Sequence, residues 1–108
     1  MSAKRLRNDG GQNMVYILLA SGFEEIEAIT PCDLLRRAGV DAKFVGVGGK
    51  RIDGSHGFVV EADLSLEEAS ETLPEMIVLP GGRRGVESLL ADHGVFGIAF
   101  VLLLSRNY

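Results

Sequence analysis

A chain of 108 residues, 46% of them hydrophobic, can build one modest core, and its formal net charge is −4. Three basic residues against one aspartate give the first 13 residues a net charge of +2, which leaves −6 on the remainder. This acidic remainder argues against a nucleic-acid-binding surface on the folded part. The longest apolar stretch, residues 95–104, is about half as long as a transmembrane helix, so a membrane span is not expected.

The predicted domain organisation is a disordered extension over residues 1–13 followed by a single domain over residues 14–108. The extension lacks the apolar centre of a secretory signal, and an expression remnant or a short binding arm are its alternatives. The single cysteine, Cys32, excludes a disulfide within the chain and favours a reducing compartment, so a cytoplasmic location is expected. Neither a cofactor nor a metal ion is predicted.

The first elements in chain order are a strand and a helix. Residues 14–20 are apolar without alternation, as in a strand buried on both faces of a parallel sheet. Residues 24–38 predict a helix that stops at Gly39, and Pro31 predicts a kink or a restart within it. The apolar positions of this helix are expected to form one face: Ile26, Ile29, Leu34, Leu35 and Ala38.

A second strand over residues 42–47 completes a strand–helix–strand unit of ordinary size. The elements after it are short: a small hairpin in the turn-rich residues 48–57, a strand over 58–62, a helix opened by a Ser65–Glu68 capping box, a strand over 76–79 and a helix over 84–91. Strands that alternate with helices in this way predict an α/β fold with a doubly wound sheet.

Two motifs carry the chemical information. Pro80-Gly81-Gly82 ends the apolar strand Met76–Leu79, where a glycine pair exposes backbone N–H groups at the strand tip. The acidic residues Glu24, Glu25 and Glu27 follow the first strand and are therefore expected on the same rim of the sheet.

The order of four motifs resembles the ThiJ/PfpI (DJ-1) superfamily: Ala20–Glu27, Pro31–Gly39, Ala62–Glu67 and Val78–Gly82. The resemblance covers residues 14 to about 91. It implies an incomplete flavodoxin-like three-layer sandwich with a mostly parallel sheet, similar to class I glutamine amidotransferases. It also implies cysteine-dependent deglycase or glyoxalase chemistry on small carbonyl compounds or glycated adducts.

The resemblance assigns roles to two residues. Glu27 matches the glutamate beside the catalytic cysteine, where a protonated carboxyl holds the thiolate without like-charge repulsion. Gly82 matches the residue whose backbone N–H contributes to the oxyanion hole. Without the resemblance, Glu27 would be a residue of the first helical turn and the glycine pair a plain turn. Glu24 and Glu25 are expected to be surface residues that complement the helix dipole.

The cysteine and the two histidines receive structural interpretations. Cys32 lies inside the first helix next to Asp33, away from any strand-to-helix elbow, and is expected to be a structural residue rather than the nucleophile. His56 is expected to be an exposed hairpin residue, although related proteins often place a basic residue there near a neighbouring subunit's pocket. His93 is expected near a helix C-terminus.

The resemblance fails after Ala91. Residues 95–104 are apolar and predict a buried strand or helix, and the chain then ends without a cysteine elbow or a later histidine. The expected causes are a truncated gene product, a frameshifted end or a partial clone. Two functions remain open: the family activity, and an inactive remnant that only dimerises or binds a partner. An incomplete sheet is expected to form a homodimer or to aggregate.

Overall fold

The structure is a computed structural model that describes residues 13–95 and residue 97. Its strands are Met14–Leu19 (β1), Asp41–Gly46 (β2), Arg51–Asp53 (β3), Val59–Glu61 (β4), Leu64–Ser65 (β5) and Met76–Val78 (β6). Its helices are Glu25–Arg37 (α1), Leu66–Ala69 (α2) and Arg83–Ala91 (α3). The predicted extension, apart from Asn13, and most of the apolar stretch 95–104 lie outside the described residues.

The main sheet is parallel and has the strand order β5-β2-β1-β6. Ile17 of β1 pairs with Val78 of β6, so the carboxyl ends of these two strands lie at the same edge of the sheet. The strands β3 and β4 form a separate antiparallel hairpin. Strand β5 was not predicted: Ser65 was assigned to the capping box of the helix that follows, and Leu64 was assigned to no element.

Strand β1 divides the core into two layers. Its odd-numbered residues pack with Ala28 and Cys32 of α1, and its even-numbered residues pack with Ala69 of α2 and Leu89 of α3. Since successive side chains of a strand point to opposite faces, an apolar strand without alternation has to be covered on both sides. The predicted three-layer α/β fold is confirmed.

Helix α1 corrects two predictions. It runs as one helix through Pro31, so of the predicted kink or restart the restart is wrong and the kink stays a prediction. The packing of Ala28 and Cys32 on β1 outweighs the loss of one backbone hydrogen bond. The predicted apolar face is also wrong, because the buried positions are Glu25, Ala28 and Cys32, while Ile26 is 70% exposed. Apolar residues therefore occur on the solvent side of this helix.

The predicted helix ends are confirmed. Gly39 has a φ of 87°, and the N–H groups of Gly39 and Val40 donate to the carbonyls of Arg36 and Leu35, as in a Schellman motif. The capping box of α2 is complete, with Ser65 and Glu68 bonded reciprocally. Among the described residues, no helix has the length and apolar character needed to cross a membrane.

Candidate active site at the strand tips

The structure brings Glu27 to the tip of β6. The N–H of Gly81 donates to Glu27 Oε1 at 2.7 Å, and the N–H of Glu24 donates to the Gly81 carbonyl at 3.1 Å. These two bonds tie the first turn of α1 to the glycine pair that follows β6. One oxygen of the exposed Glu27 carboxylate is thereby fixed, and Oε2 has no hydrogen-bond partner among residues 13–95 and 97.

Gly82 is the N-cap of α3, and no side chain caps that helix. Its φ of 91° and ψ of 125° lie outside the regions that residues with a side chain prefer. Its carbonyl accepts from Val86 at 2.8 Å, whereas its N–H donates to none of the described residues. The strand tip therefore presents a backbone N–H donor three residues after the exposed Leu79.

Close backbone packing fixes the position of this turn. A Cβ on Gly82 would lie 2.7 Å from the Gly22 carbonyl oxygen, and one on Gly85 would lie 2.8 Å from Phe23 Cα. Such distances are shorter than real Cβ contacts, so α3 can approach the β1–α1 loop only because these positions are glycines. The loop and the start of α3 form one packed unit around the strand tips.

Glu25 differs from its sequence prediction, because it is buried and not a surface residue. Its Oε2 accepts from the backbone N–H of His56 at 2.7 Å, and its Oε1 lies 2.9 Å from His56 Nδ1. The carboxylate sits directly over Gly54, where a Cβ would overlap it. His56 is exposed on the hairpin as predicted, but its pairing with Glu25 was not.

The pair shifts the ionisation of both groups. Burial acts to raise the pKa of Glu25, but the hydrogen bonds from the ring and backbone of His56 and from the backbone of Phe58 lower this pKa to about 2. The hydrogen bond to Glu25 and the charge of that carboxylate raise the pKa of His56 above its usual 6.5. The paired, doubly charged form is thus the stable one near pH 5 to 6.

Glu24 has the role of a helix cap. Its Oε1 accepts from the N–H of Ile26 at 2.8 Å and from that of Glu27 at 3.3 Å, so it complements the start of α1 as predicted. Its Oε2 lies 3.7 Å from His56 Nδ1. Hydrogen bonds to the protein account for the positions of Glu24, Glu25 and His56, and we assign no metal ion to them.

Cys32 is buried in α1 against β1. Burial raises the pKa of its thiol, the charge of Arg36 acts in the opposite direction, and Asp63 and Asp33 raise it further. A buried thiol with a raised pKa is a weak nucleophile. The position agrees with the predicted structural role. His93 follows α3 and is exposed.

Sequence reasoning missed two members of this region, Gly81 as the donor to Glu27 and Glu25 as the anchor of the hairpin. Both contacts join segments that are far apart in the sequence. The Gly54-Ser55-His56-Gly57 turn indicated only part of the Glu25 contact, since a glycine-rich turn exposes N–H groups from which a carboxylate can accept hydrogen bonds.

An open parallel sheet with a carboxylate and a free backbone donor at adjacent strand tips defines a flavodoxin-like α/β protein with its candidate site at the carboxyl edge of the sheet. The sequence profile of the DJ-1/PfpI family matches residues 13–99. The chain belongs to the DJ-1/PfpI family.

Curated relatives and solved structures agree with this assignment. The chain is 37% identical over 81 residues to the Parkinson disease protein 7 homolog of Danio rerio, covering 73% of this chain and 43% of the relative. It is 36% identical over 69 residues to the deglycase TK1284 of Thermococcus kodakarensis, covering 64% of this chain and 42% of the relative. The chain thus spans less than half the length of these relatives.

Two solved structures show the same fold. A cysteine-to-alanine variant of the DJ-1 superfamily protein STM1931 from Salmonella typhimurium superimposes with a TM-score of 0.83 and 33% identity, over 85% of this chain and 50% of that one. Drosophila melanogaster DJ-1beta gives a TM-score of 0.79 and 29% identity, over 82% of this chain and 48% of that one.

Proposed function

We propose that this chain supplies the amino-terminal half of a cysteine-dependent active site of deglycase or glyoxalase type. Its substrates would be small carbonyl compounds or glycated adducts. The observation that carries the proposal is the 2.7 Å hydrogen bond between Glu27 Oε1 and Gly81 N–H. It joins the proposed proton donor, Glu27, to the turn whose next residue, Gly82, is proposed to stabilise the oxyanion. The deglycase activity named for the Thermococcus relative supports the same reaction class.

Two groups of this chain would act on the substrate. A cysteine thiolate adds to the carbonyl carbon, a C–S bond forms, and the C=O π electrons move to the oxygen. The Gly82 N–H, which has no acceptor among the described residues, donates to that oxyanion. Glu27 Oε2 then carries the proton that converts the oxyanion to a hemithioacetal, while Oε1 stays fixed on Gly81.

The nucleophile in this scheme is not Cys32. That thiol is buried in the layer between α1 and β1, and the sequence has no second cysteine. The thiolate must therefore come from a segment or a chain outside these 108 residues. These 108 residues by themselves are proposed to be inactive and to reside in the cytoplasm.

A non-catalytic interaction module is the second candidate function. Large apolar side chains are exposed on α1 and on the hairpin, including Ile26 at 70% and Phe58 at 63%. Met76 is exposed on β6, Leu79 is exposed directly after this strand, and Leu90 is exposed on α3. Apolar exposure on several elements favours association with a second copy or with another protein, so we propose a homodimer or an aggregation-prone chain.

Methylglyoxal turnover by the purified chain tests the assignment of the nucleophile. We expect a rate equal to the buffer background for both the unaltered chain and Cys32→Ser, with the Thermococcus deglycase as the positive control. Turnover that disappears in Cys32→Ser would show that Cys32 is the nucleophile and would overturn the proposal. Turnover that persists in Cys32→Ser but disappears in Glu27→Gln would show chemistry that needs no cysteine.

A further inference from the structure

We propose that His56 and Glu25 form a pH-sensitive latch that fastens the β3–β4 hairpin to the start of α1. The latch is a conformational device next to the strand tips, and it stands whether or not the site is catalytic. Its structural basis is a buried carboxylate at the start of α1 that is hydrogen-bonded to three residues of the hairpin.

The geometry makes Glu25 the anchor of the hairpin. Its two oxygens accept from the His56 N–H at 2.7 Å, the Ser55 hydroxyl at 3.4 Å and the Phe58 N–H at 3.4 Å, and they lie against the His56 ring. Buried carboxylates need such partners, because an unpaired charge away from water is costly. Opening the hairpin would remove all of these partners together.

Backbone bonds complete the junction but do not depend on pH. The Gly22 N–H donates to the Asp53 carbonyl at 2.8 Å, and the Ser55 N–H donates to the Phe23 carbonyl at 2.9 Å. The hairpin therefore stays attached when the His56–Glu25 bond weakens. The latch changes how often the hairpin tip opens, not whether the chain is folded.

The imidazole of His56 is the group that responds to pH. Among the described residues, the charged groups that face Nδ1 are Glu25 at 2.9 Å and Glu24 at 3.7 Å, both carboxylates, while the Ser55 hydroxyl lies at 3.0 Å. A protonated ring faces both carboxylates with a positive charge and donates from Nδ1. A neutral ring carries no charge, and it keeps the donor only in the Nδ1–H tautomer.

The direction of the pH effect follows from the two shifts. Because the pKa of His56 is raised, the ring stabilises the closed hairpin fully below its ordinary pKa of 6.5. This stabilisation is lost as the pH rises through the pKa that His56 has in the folded protein. Because the pKa of Glu25 is lowered to about 2, the carboxylate stabilises the closed hairpin fully above pH 4.5, and this stabilisation is lost as the pH falls toward 2. The latch is therefore strongest between pH 4.5 and 6.5 and weakens as the pH rises through the pKa of His56 in the folded protein.

The latch adjoins the candidate site through Glu24. This residue faces His56 with its side chain, caps α1, and donates its N–H to the Gly81 carbonyl at 3.1 Å. Opening of the hairpin tip would remove the histidine from the carboxylates at the first turn of α1, the same turn that holds Glu27.

Amide hydrogen exchange of the purified chain, followed by NMR as a function of pH, tests the latch. After correction for intrinsic exchange, the protection of the His56 and Phe58 N–H groups is expected to fall as the pH rises through the midpoint of the His56 ring. By linkage, a difference of one unit in the pKa of His56 between the closed and the open hairpin gives about a tenfold fall in this protection. The His56→Gln variant, which changes an exposed side chain, is expected to lack this step, and His93→Gln is the matched control that keeps it.

The titration of the ring itself provides an independent readout. We expect the His56 midpoint to lie above 6.5 in the unaltered chain and to move toward 6.5 in Glu25→Gln. A protection step that persists in His56→Gln would overturn the latch. So would a His56 ring that titrates at its ordinary value in the unaltered chain.

Discussion

Gly82 gives the most quantitative test of how the strand tip is built, because an alanine there meets two separate obstacles. The first is the φ of 91°, which costs an L-residue about 1–2 kcal/mol. The second is contact, since the added Cβ would lie 2.7 Å from the Gly22 oxygen and 2.9 Å from the Glu24 nitrogen, both backbone atoms that cannot rotate away. Overpacking of this kind costs about 1–3 kcal/mol.

The two terms sum to about 2–5 kcal/mol, and the stiffer unfolded chain offsets about 0.4–1 kcal/mol of this, so the free energy of unfolding should fall by about 1–4.6 kcal/mol. Gly48→Ala is the matched control, because Gly48 has the same φ of 91° and nothing within 4 Å of its added Cβ. Without the contact cost, Gly48→Ala should lose about 0–1.6 kcal/mol. Urea denaturation measures both variants, and equal losses for Gly82→Ala and Gly48→Ala would refute the close packing described for the turn.

Three further predictions concern the core and the buried groups. Leu18→Ala, at a fully buried position of β1, should lower the free energy of unfolding by about 2–5 kcal/mol in the same urea assay; a loss below 1 kcal/mol would contradict the two-sided burial of this strand. Cys32 should react with iodoacetamide at least about 100-fold more slowly in the folded chain than in urea, because burial raises the pKa of its thiol; equal rates would place the thiol at the surface. Between pH 4.5 and 2 the urea midpoint should fall less in Glu25→Gln than in the unaltered chain, since the pKa of about 2 makes the carboxylate stabilising above that range; parallel curves would contradict the buried pairing.

The sequence predicts the framework of this fold well where the signals are local. The apolar strand β1, the glycine stop at Gly39 and the Ser65–Glu68 capping box each depend on neighbouring residues, and all three are confirmed. Helix α1 shows the limit of such signals. Its apolar residues Ile26 and Ile29 suggested a buried face, but the sheet packs against Ala28 and Cys32 instead.

The candidate site depends on contacts that local patterns do not record. The resemblance selected Glu27 and Gly82, and the structure places the residue next to Gly82 against Glu27, across 54 positions of sequence. The roles assigned to both residues stay predictions. The burial of Glu25 could not be predicted, because Glu24, Glu25 and Glu27 are the same residue type at the start of α1 and differ only in the direction in which each side chain points.

The central claim is that this chain carries a working amino-terminal half of a DJ-1/PfpI active site. The most direct measurement is the methylglyoxal turnover of a chimera in which residues 14–91 replace the matching segment of the Thermococcus deglycase. We expect turnover well above background and a fall of about 10²- to 10⁴-fold in kcat/KM for Glu27→Gln, with Glu67→Gln as an unaffected control. A folded chimera whose turnover is unchanged by Glu27→Gln would contradict the claim.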